Sequence, residues 1–209
     1  MRPYFRGELS QIKEDSIGVD FSAEALKNHP NENKIRADLR KLPFPDAYAD
    51  HIISFEPTPL NPNTATLLDP ILTLYELGRV GKNVHIIQKT RNNVPIWTYP
   101  FVQQYLAGLG VPYKIHDLTD HTIITGITKP NRKMGVVAVS FRGEDLLKHR
   151  ATIKKDALAV YKFLRAIAVK REVPPRDIAQ LMRSASPALR KALVEHFVLQ
   201  KRPRLVRRK

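Results

Sequence analysis

Residues 35–56 read IRADLRKLPFPDAYADHIISFE, and the fold turns on how this stretch is read. Lys34 to Ala37 form a short apolar entry that ends on an acid, Asp38. A Leu42-Pro43-Phe44-Pro45-Asp46 turn follows, and then Asp50, His51 and the apolar run Ile52-Ile53-Ser54-Phe55. The two prolines forbid a helix through the middle, because each removes a backbone donor and holds its predecessor in extended geometry. The stretch therefore reads as strand, turn, strand. In open α/β sheets ligands bind beyond the C-terminal ends of strands, so Asp38 and the segment from Ser54 to Glu56 are the first candidates for function.

Working outward, Ile17 to Phe21 (IGVDF) is a strand that ends on an acid, Asp20. Ser22 can cap a short helix through Ala25 and Leu26, with Glu24 in its first turn and a stop at His29-Pro30. Downstream, a proline-rich loop (57–62) leads to Asp69-Pro70, which has the form of an N-cap and first helical residue. That helix carries Ile71, Leu72, Leu74, Tyr75 and Leu77. Val84 to Ile87 is strand-like. Pro100 can start a helix whose apolar positions 101, 102, 105, 106 and 109 recur at helical spacing, with Gly110 ending it. Tyr113 to His116, Thr122 to Thr128 and Gly135 to Phe141 complete the strands. Strands alternating with helices predict a mainly parallel α/β sheet, and the late strands without intervening helices predict an antiparallel edge.

From Gly143 the strand pattern stops. Residues 144–170 read as one long helix with Ile153, Ala157, Val160, Leu164 and Ile167 on one face. At about 100° per residue, Lys148, Lys155 and Lys162 lie on the other. Helices are also expected from Pro174-Pro175, carrying Ile178, Leu181 and Met182, and from Ser186-Pro187, carrying Leu189, Leu193, His196 and Phe197. Two domains are expected, an α/β body over 1–141 and a basic helical extension over 142–209.

Charge sets the extension apart. The chain carries +15 at pH 7. Residues 1–141 hold 16 Lys and Arg against 14 Asp and Glu, whereas residues 142–209 hold 19 against 6. Charge concentrated in this way is the footprint of a polyanion binder; a solubilising surface is the plainer alternative. Lys148, Lys155, Lys162 and Arg165, with Lys201, Arg202, Arg204, Arg207, Arg208 and Lys209, are the expected phosphate contacts. RNA is preferred to DNA because no convincing groove-reading helix is evident, although 175–197 has helix-turn-helix proportions. The chain has no cysteine, which rules out disulfides, cysteine-ligated zinc and thiolate attack on a pyrimidine ring. Without a long apolar run or an apolar N-terminal core, a soluble cytoplasmic protein with no membrane partner is expected. His116, Asp117, Asp120 and His121 suggest a metal less strongly than they suggest polar strand ends. Trp97, Tyr99 and Phe101 can stack on bases or pack the helix they precede.

Residues 16–141, from Gly18-Val-Asp-Phe-Ser22 through Asp38-Leu39, Leu42-Pro-Phe44, Asp50-His-Ile-Ile-Ser54, Tyr75 to Asn83 and Tyr105 to Gly110, resemble class I S-adenosylmethionine-dependent methyltransferases from their second strand onward. The order and spacing of these segments carry the resemblance. It implies a Rossmann-like sheet, S-adenosylmethionine as cofactor, Asp20 on the ribose hydroxyls, Asp38 with Leu39 at the adenine, and Ser54 as a further cofactor-binding residue. A carboxylate at a strand end can accept from both hydroxyls of a diol. The alternative is that Asp20 and Asp38 cap the turns that follow them. Glu56, at the exit of the family's fourth strand, is the one tentative catalytic residue, against a plainer reading of Glu56-Pro57-Thr58-Pro59 as a proline-stiffened loop.

The family's first strand and Gly-rich loop have no counterpart in residues 1–15, which contain a single glycine, Gly7. The sheet is then expected to pair its second and fourth strands, to borrow a strand from elsewhere, including a partner chain, or to stay open. Two functions follow. One is a methyltransferase acting on nucleic acid, RNA such as ribosomal or transfer RNA, with its activity left open. The other is a non-catalytic RNA-binding or ribosome-associated component of a ribonucleoprotein, built on the same scaffold.

Overall fold

The computed structural model describes residues 16–27, 33–55, 66–91, 94–95, 99–117, 134–168 and 173–201. By compactness the chain divides into Met1–Pro43 and Phe44–Lys209.

The first unit is a β-α-β turn. Strand β1 (Gly18–Asp20) pairs in parallel with β2 (Lys34–Arg36), Val19 opposite Ile35, and helix α1 (Ala23–Lys27) lies between them in sequence. Parallel strands need such a crossover. Ser22 opens α1 as expected, its carbonyl accepting from the Leu26 N–H at 3.1 Å. Beyond β2 the chain turns tightly at Asp38, whose carbonyl accepts from the Lys41 N–H at 2.9 Å.

The second unit holds a five-stranded sheet. Its order is β3 (Ala49–Phe55), β4 (Gly81–Arg91), β7 (Met134–Arg142), β6 (Tyr113–Asp117), with β5 (Val94–Pro95) on β4. Strands β3 and β4 are parallel, and β7 runs antiparallel to both β4 and β6, which is the expected antiparallel edge. Among the described residues the strands fall into two sheets, one in each unit. The segment 122–128, read as strand-like, lies outside the described residues.

Helix α2 (Leu68–Val80) connects β3 to β4 and buries Ile71, Leu74 and Leu77 completely. Asp69 is not its cap. It lies in the first turn, and its carboxylate reaches back to the Thr66 N–H (2.6 Å) and hydroxyl (3.0 Å), as the acid of a capping box does. Helix α3 (Tyr99–Leu109) buries all five predicted positions, from Phe101 to Leu109. Gly110 ends it at φ +74°, a conformation glycine adopts without steric cost.

The predicted single helix over 144–170 is two: α4 (Gly143–Leu147) and α5 (Arg150–Ile167). At the join the His149 N–H bonds to the Leu146 carbonyl three residues back, at 3.0 Å, which tightens the last turn and breaks the axis. Helices α6 (Pro175–Ser184) and α7 (Pro187–Lys201) start at their prolines as expected. The basic third packs into the second unit: α5 lies against α2 and α6, and α7 against α3.

Candidate functional site

In the first unit Asp20 ends β1. Its Oδ1 accepts from the Ser22 N–H at 2.7 Å, while the Asp20 carbonyl accepts from the Ala37 N–H at 3.1 Å. One carboxylate oxygen is thus used to hold the turn into α1. Phe21, next in the chain, is exposed, with the Arg36 guanidinium over its ring at 5.6 Å. Asp38 is held more fully. Its Oδ1 accepts from the Arg40 backbone N–H (2.8 Å) and Nε (3.0 Å), and its Oδ2 from Nε (3.0 Å) and Nη2 (2.6 Å). The side-chain hydrogen bonds from Arg40 set its carboxyl below the usual Asp range. Leu39, half-buried, sits in the same turn.

Ser54 lies in β3, buried, opposite Ile86. Glu56 lies outside the described residues. Arg79, to which the sequence motif alone gives no role, locks the loop that enters β3. It donates to Glu76 (2.9 and 2.8 Å), to the Phe44 carbonyl (2.7 Å) and to Asp46 (2.9 Å), and its own carbonyl accepts from the Ala47 N–H (2.7 Å). The Glu76–Arg79 spacing of three, on one face of a helix, is the signal that identifies this clamp.

Three strands bring together a polar chain that no local pattern reveals. His51 on β3 and His85 on β4 approach to 3.3 Å (Nδ1 to Nε2), and the His85 Nδ1 lies 2.9 Å from the Ser140 hydroxyl on β7. The ring centroids are 5.6 Å apart and the nitrogens 3.3 Å, a difference of 2.3 Å that two ring radii account for. With the planes 12° apart, the rings meet edge to edge along one axis, as a shared N–H···N hydrogen bond requires. Among the described residues no group of three or more His, Asp or Glu is arranged to hold a metal. Burial, and secondarily the His51 and His116 charges, push the His85 imidazole down to about 4, so it is neutral at physiological pH. Asp120 and His121, the other members of the weighed metal cluster, lie outside the described residues.

The basic helices present a different surface. Lys155, Lys162 and Arg165 are exposed on α5, joined by Lys154, which helical periodicity alone does not single out. Lys148 lies outside α5, between it and α4, and its Nζ donates to Asp145 at 2.6 Å. Lys201 is the last residue of α7, and Arg202 to Lys209 lie outside the described residues. Phe101 is buried against Tyr105 and so packs its helix; Trp97 and the Tyr99 side chain are outside the described residues. Between α5 and α6 runs a groove of about 300 Å³. Behind it α5 is anchored by Asp156, fully buried, which accepts from the Tyr105 hydroxyl (2.9 Å), the Ser186 N–H (2.7 Å) and the Ser186 hydroxyl (2.6 Å).

S-adenosylmethionine is the cofactor implied by the resemblance, and the acids do not all fit it. Asp20 keeps one carboxylate oxygen outside its turn bond. Asp38 has both oxygens occupied by Arg40, so it offers no ready acceptor to an adenine amino group.

Comparison with known proteins gives the following. Residues 4–80 match a family model described as a methyltransferase domain. A crystal structure of a SAM-dependent methyltransferase from Methanosarcina mazei is similar at a TM-score of 0.39 and 11% identity, covering 60% of this chain and 81% of that one. No curated protein matches. No helix of the described residues is long and apolar enough to cross a membrane.

Proposed function

We propose, from the match of residues 4–80 to a methyltransferase-domain model, that this chain is a class I S-adenosylmethionine-dependent methyltransferase-like protein acting on nucleic acid, RNA rather than DNA, held by its basic C-terminal third. The observation that carries this reading is the outer face of α5. Lys154, Lys155, Lys162 and Arg165 are exposed there beside an exposed Leu158 and Tyr161, so cations are interleaved with surface on which a base can rest. Single-stranded nucleic acid is bound by this combination of positive charge and stacking platforms. Lys148 and the terminal run from Lys201 to Lys209 add charge to the same third of the chain.

A methyl group, where one is transferred, comes from S-adenosylmethionine. The second reading, a non-catalytic RNA-binding component of a ribonucleoprotein, is favoured by one feature, the occupation of Asp38 by Arg40. Calorimetric titration of S-adenosylmethionine into the full chain separates the two; no heat at millimolar cofactor removes the enzyme.

The RNA reading is tested by charge reversal and not by truncation, because α7 packs on α3 and removing it would expose the core. The variant K154E/K155E/K162E/R165E is expected to bind RNA at least tenfold more weakly. Its log-affinity against log-salt slope should shrink by about 0.7 for each phosphate that the variant no longer neutralises. An unchanged affinity would refute the assignment.

A further inference from the structure

The groove between α5 and α6 has a composition that the general charge of the helices does not require. Its floor is apolar, made by the buried Ala159 and Phe163 from α5 and Leu181 from α6. Its α5 rim carries Lys155 and Lys162, a spacing of seven that sets the two cations about 10 Å apart along the helix axis. Its α6 rim carries Gln180 and Ser184, both exposed and able to donate and accept. Asp177 also lines the groove, but its carboxylate is nearly buried at the start of α6, with the Arg176 guanidinium 3.8 Å away. Among the described residues no carboxylate forms an ion pair with Lys155 or Lys162. At about 300 Å³ the space is at the small end of ligand sites.

We infer that this groove takes one unstacked base of a single-stranded RNA, with Lys155 and Lys162 on the flanking phosphates. The inference rests on the RNA reading above and sharpens it. A flat aromatic base fits an apolar floor between two helices, and its edge then faces Gln180 and Ser184. The charge at the rim matches a backbone that carries an anion on either side of that base. Tyr161, one turn from Leu158 and exposed, provides a neighbouring surface on which the next base can stack. Duplex RNA keeps its bases within the stack and shows side chains mainly its minor-groove edges and backbone, so it cannot fill the groove. An acidic peptide would satisfy the lysines but has no need of a slot this small.

The test uses the full chain, a single-stranded RNA of about 12 nucleotides, within the usual span of single-strand sites, the same RNA annealed to its complement, and an acidic peptide, all at one salt concentration. Wild type is expected to bind the single strand at least tenfold more tightly than the duplex. Ser184→Trp, an exposed position on the α6 rim, fills the slot and should remove that preference while leaving duplex affinity and its salt slope unchanged. Lys154→Glu, outside the groove lining, should weaken both RNAs alike. Gln180→Trp provides a second filling variant should Ser184→Trp disturb folding. Equal affinity for single strand and duplex in the wild type, or retention of the preference in a folded filling variant, overturns the groove inference and leaves the RNA reading standing. Binding of the acidic peptide in preference to both RNAs overturns the inference too. Absence of binding to either RNA by the wild type is a failure of the RNA reading itself.

Discussion

Asp38 and Asp156 each accept several hydrogen bonds, but from unlike partners. Asp38 is partly exposed and is held by Arg40, two residues away, in a pairing local to its own turn. Asp156 is fully buried, and its partners come from α3 and from the cap of α7, 51 and 30 residues distant. The first acid belongs to the segment that resembles a cofactor site, and the second to the basic third that resembles an appendage. The geometry reverses these impressions. The supposed site acid is committed to its neighbour, while the supposed appendage is stitched into the core through a charge that no solvent reaches.

The contrast breaks most directly at Asp156. Asp156→Ala strands the Tyr105 hydroxyl and the Ser186 N–H and hydroxyl in an interior without water. Three buried donors left unsatisfied at about 1–3 kcal/mol each bound the loss at about 3–9 kcal/mol, and a loss in the lower part of that range, about 3–5 kcal/mol, is expected in urea denaturation because the site can relax. Asp38→Ala, removing an exposed pair, is expected to cost no more than about 1 kcal/mol. Equal effects would mean that the basic third is not part of the cooperative core.

A second test acts at Gly108 on α3. A Cβ there would stand 2.6 Å from the Ala188 Cα and 2.9 Å from its Cβ on α7, with backbone on both sides and nowhere to yield. Gly108→Ala recovers about 0.5–1 kcal/mol of helix propensity but overpacks the contact by about 1–3 kcal/mol. A net loss of about 1–2 kcal/mol is expected. A stabilised variant would show that α7 is free to move off α3.

How much of this is legible in the sequence follows from the range of the signals. Five apolar residues at helical spacing in α3 and the Ser-Pro start of α7 act within a turn or two, and they read correctly. Asp38 is found at its turn for the same reason. Its binding to Arg40 is not, because a carboxylate that ends a strand looks alike whether it holds a ligand or a side chain. Asp156 is invisible: an acid in a basic helix reads as surface until the partners from other helices arrive. The His51–His85–Ser140 chain spans three strands and has no local pattern at all. The break after Leu147 leaves Lys148 outside α5, which a continuous helical period could not foresee.

The histidine chain sharpens the contrast through pH. His85 titrates near 4 in the folded protein against an ordinary 6.5, so between these values the unfolded chain binds the extra proton. Stability is therefore full above about pH 6.5 and falls as pH drops towards about 4, by up to about 1.4 kcal/mol per unit. Partial exposure of the ring brings the expected total nearer about 2 kcal/mol. His85→Asn should flatten this limb. The lowered carboxyl of Asp38 acts in a separate window: its contribution is present above its ordinary 3.8 and is lost only below it. A denaturation series from about pH 7 down to about pH 3 should thus show the second unit weakening first.

The smallest stability effect tests the most about function. Arg40→Ala removes an exposed ion pair and is expected to change stability by less than about 1 kcal/mol. It also releases the Asp38 carboxylate from every guanidinium hydrogen bond, leaving only the one from the residue 40 backbone N–H. If Asp38 is a cofactor acid blocked by its neighbour, the variant should bind S-adenosylmethionine about tenfold or more tighter than wild type. A charge-assisted hydrogen bond to an adenine amino group is worth about 1.5–3 kcal/mol, which is enough to produce that gain. Equal affinity in both proteins would mean that Arg40 swings aside at little cost and the pairing is no barrier. No binding in either would assign Asp38 to the turn alone.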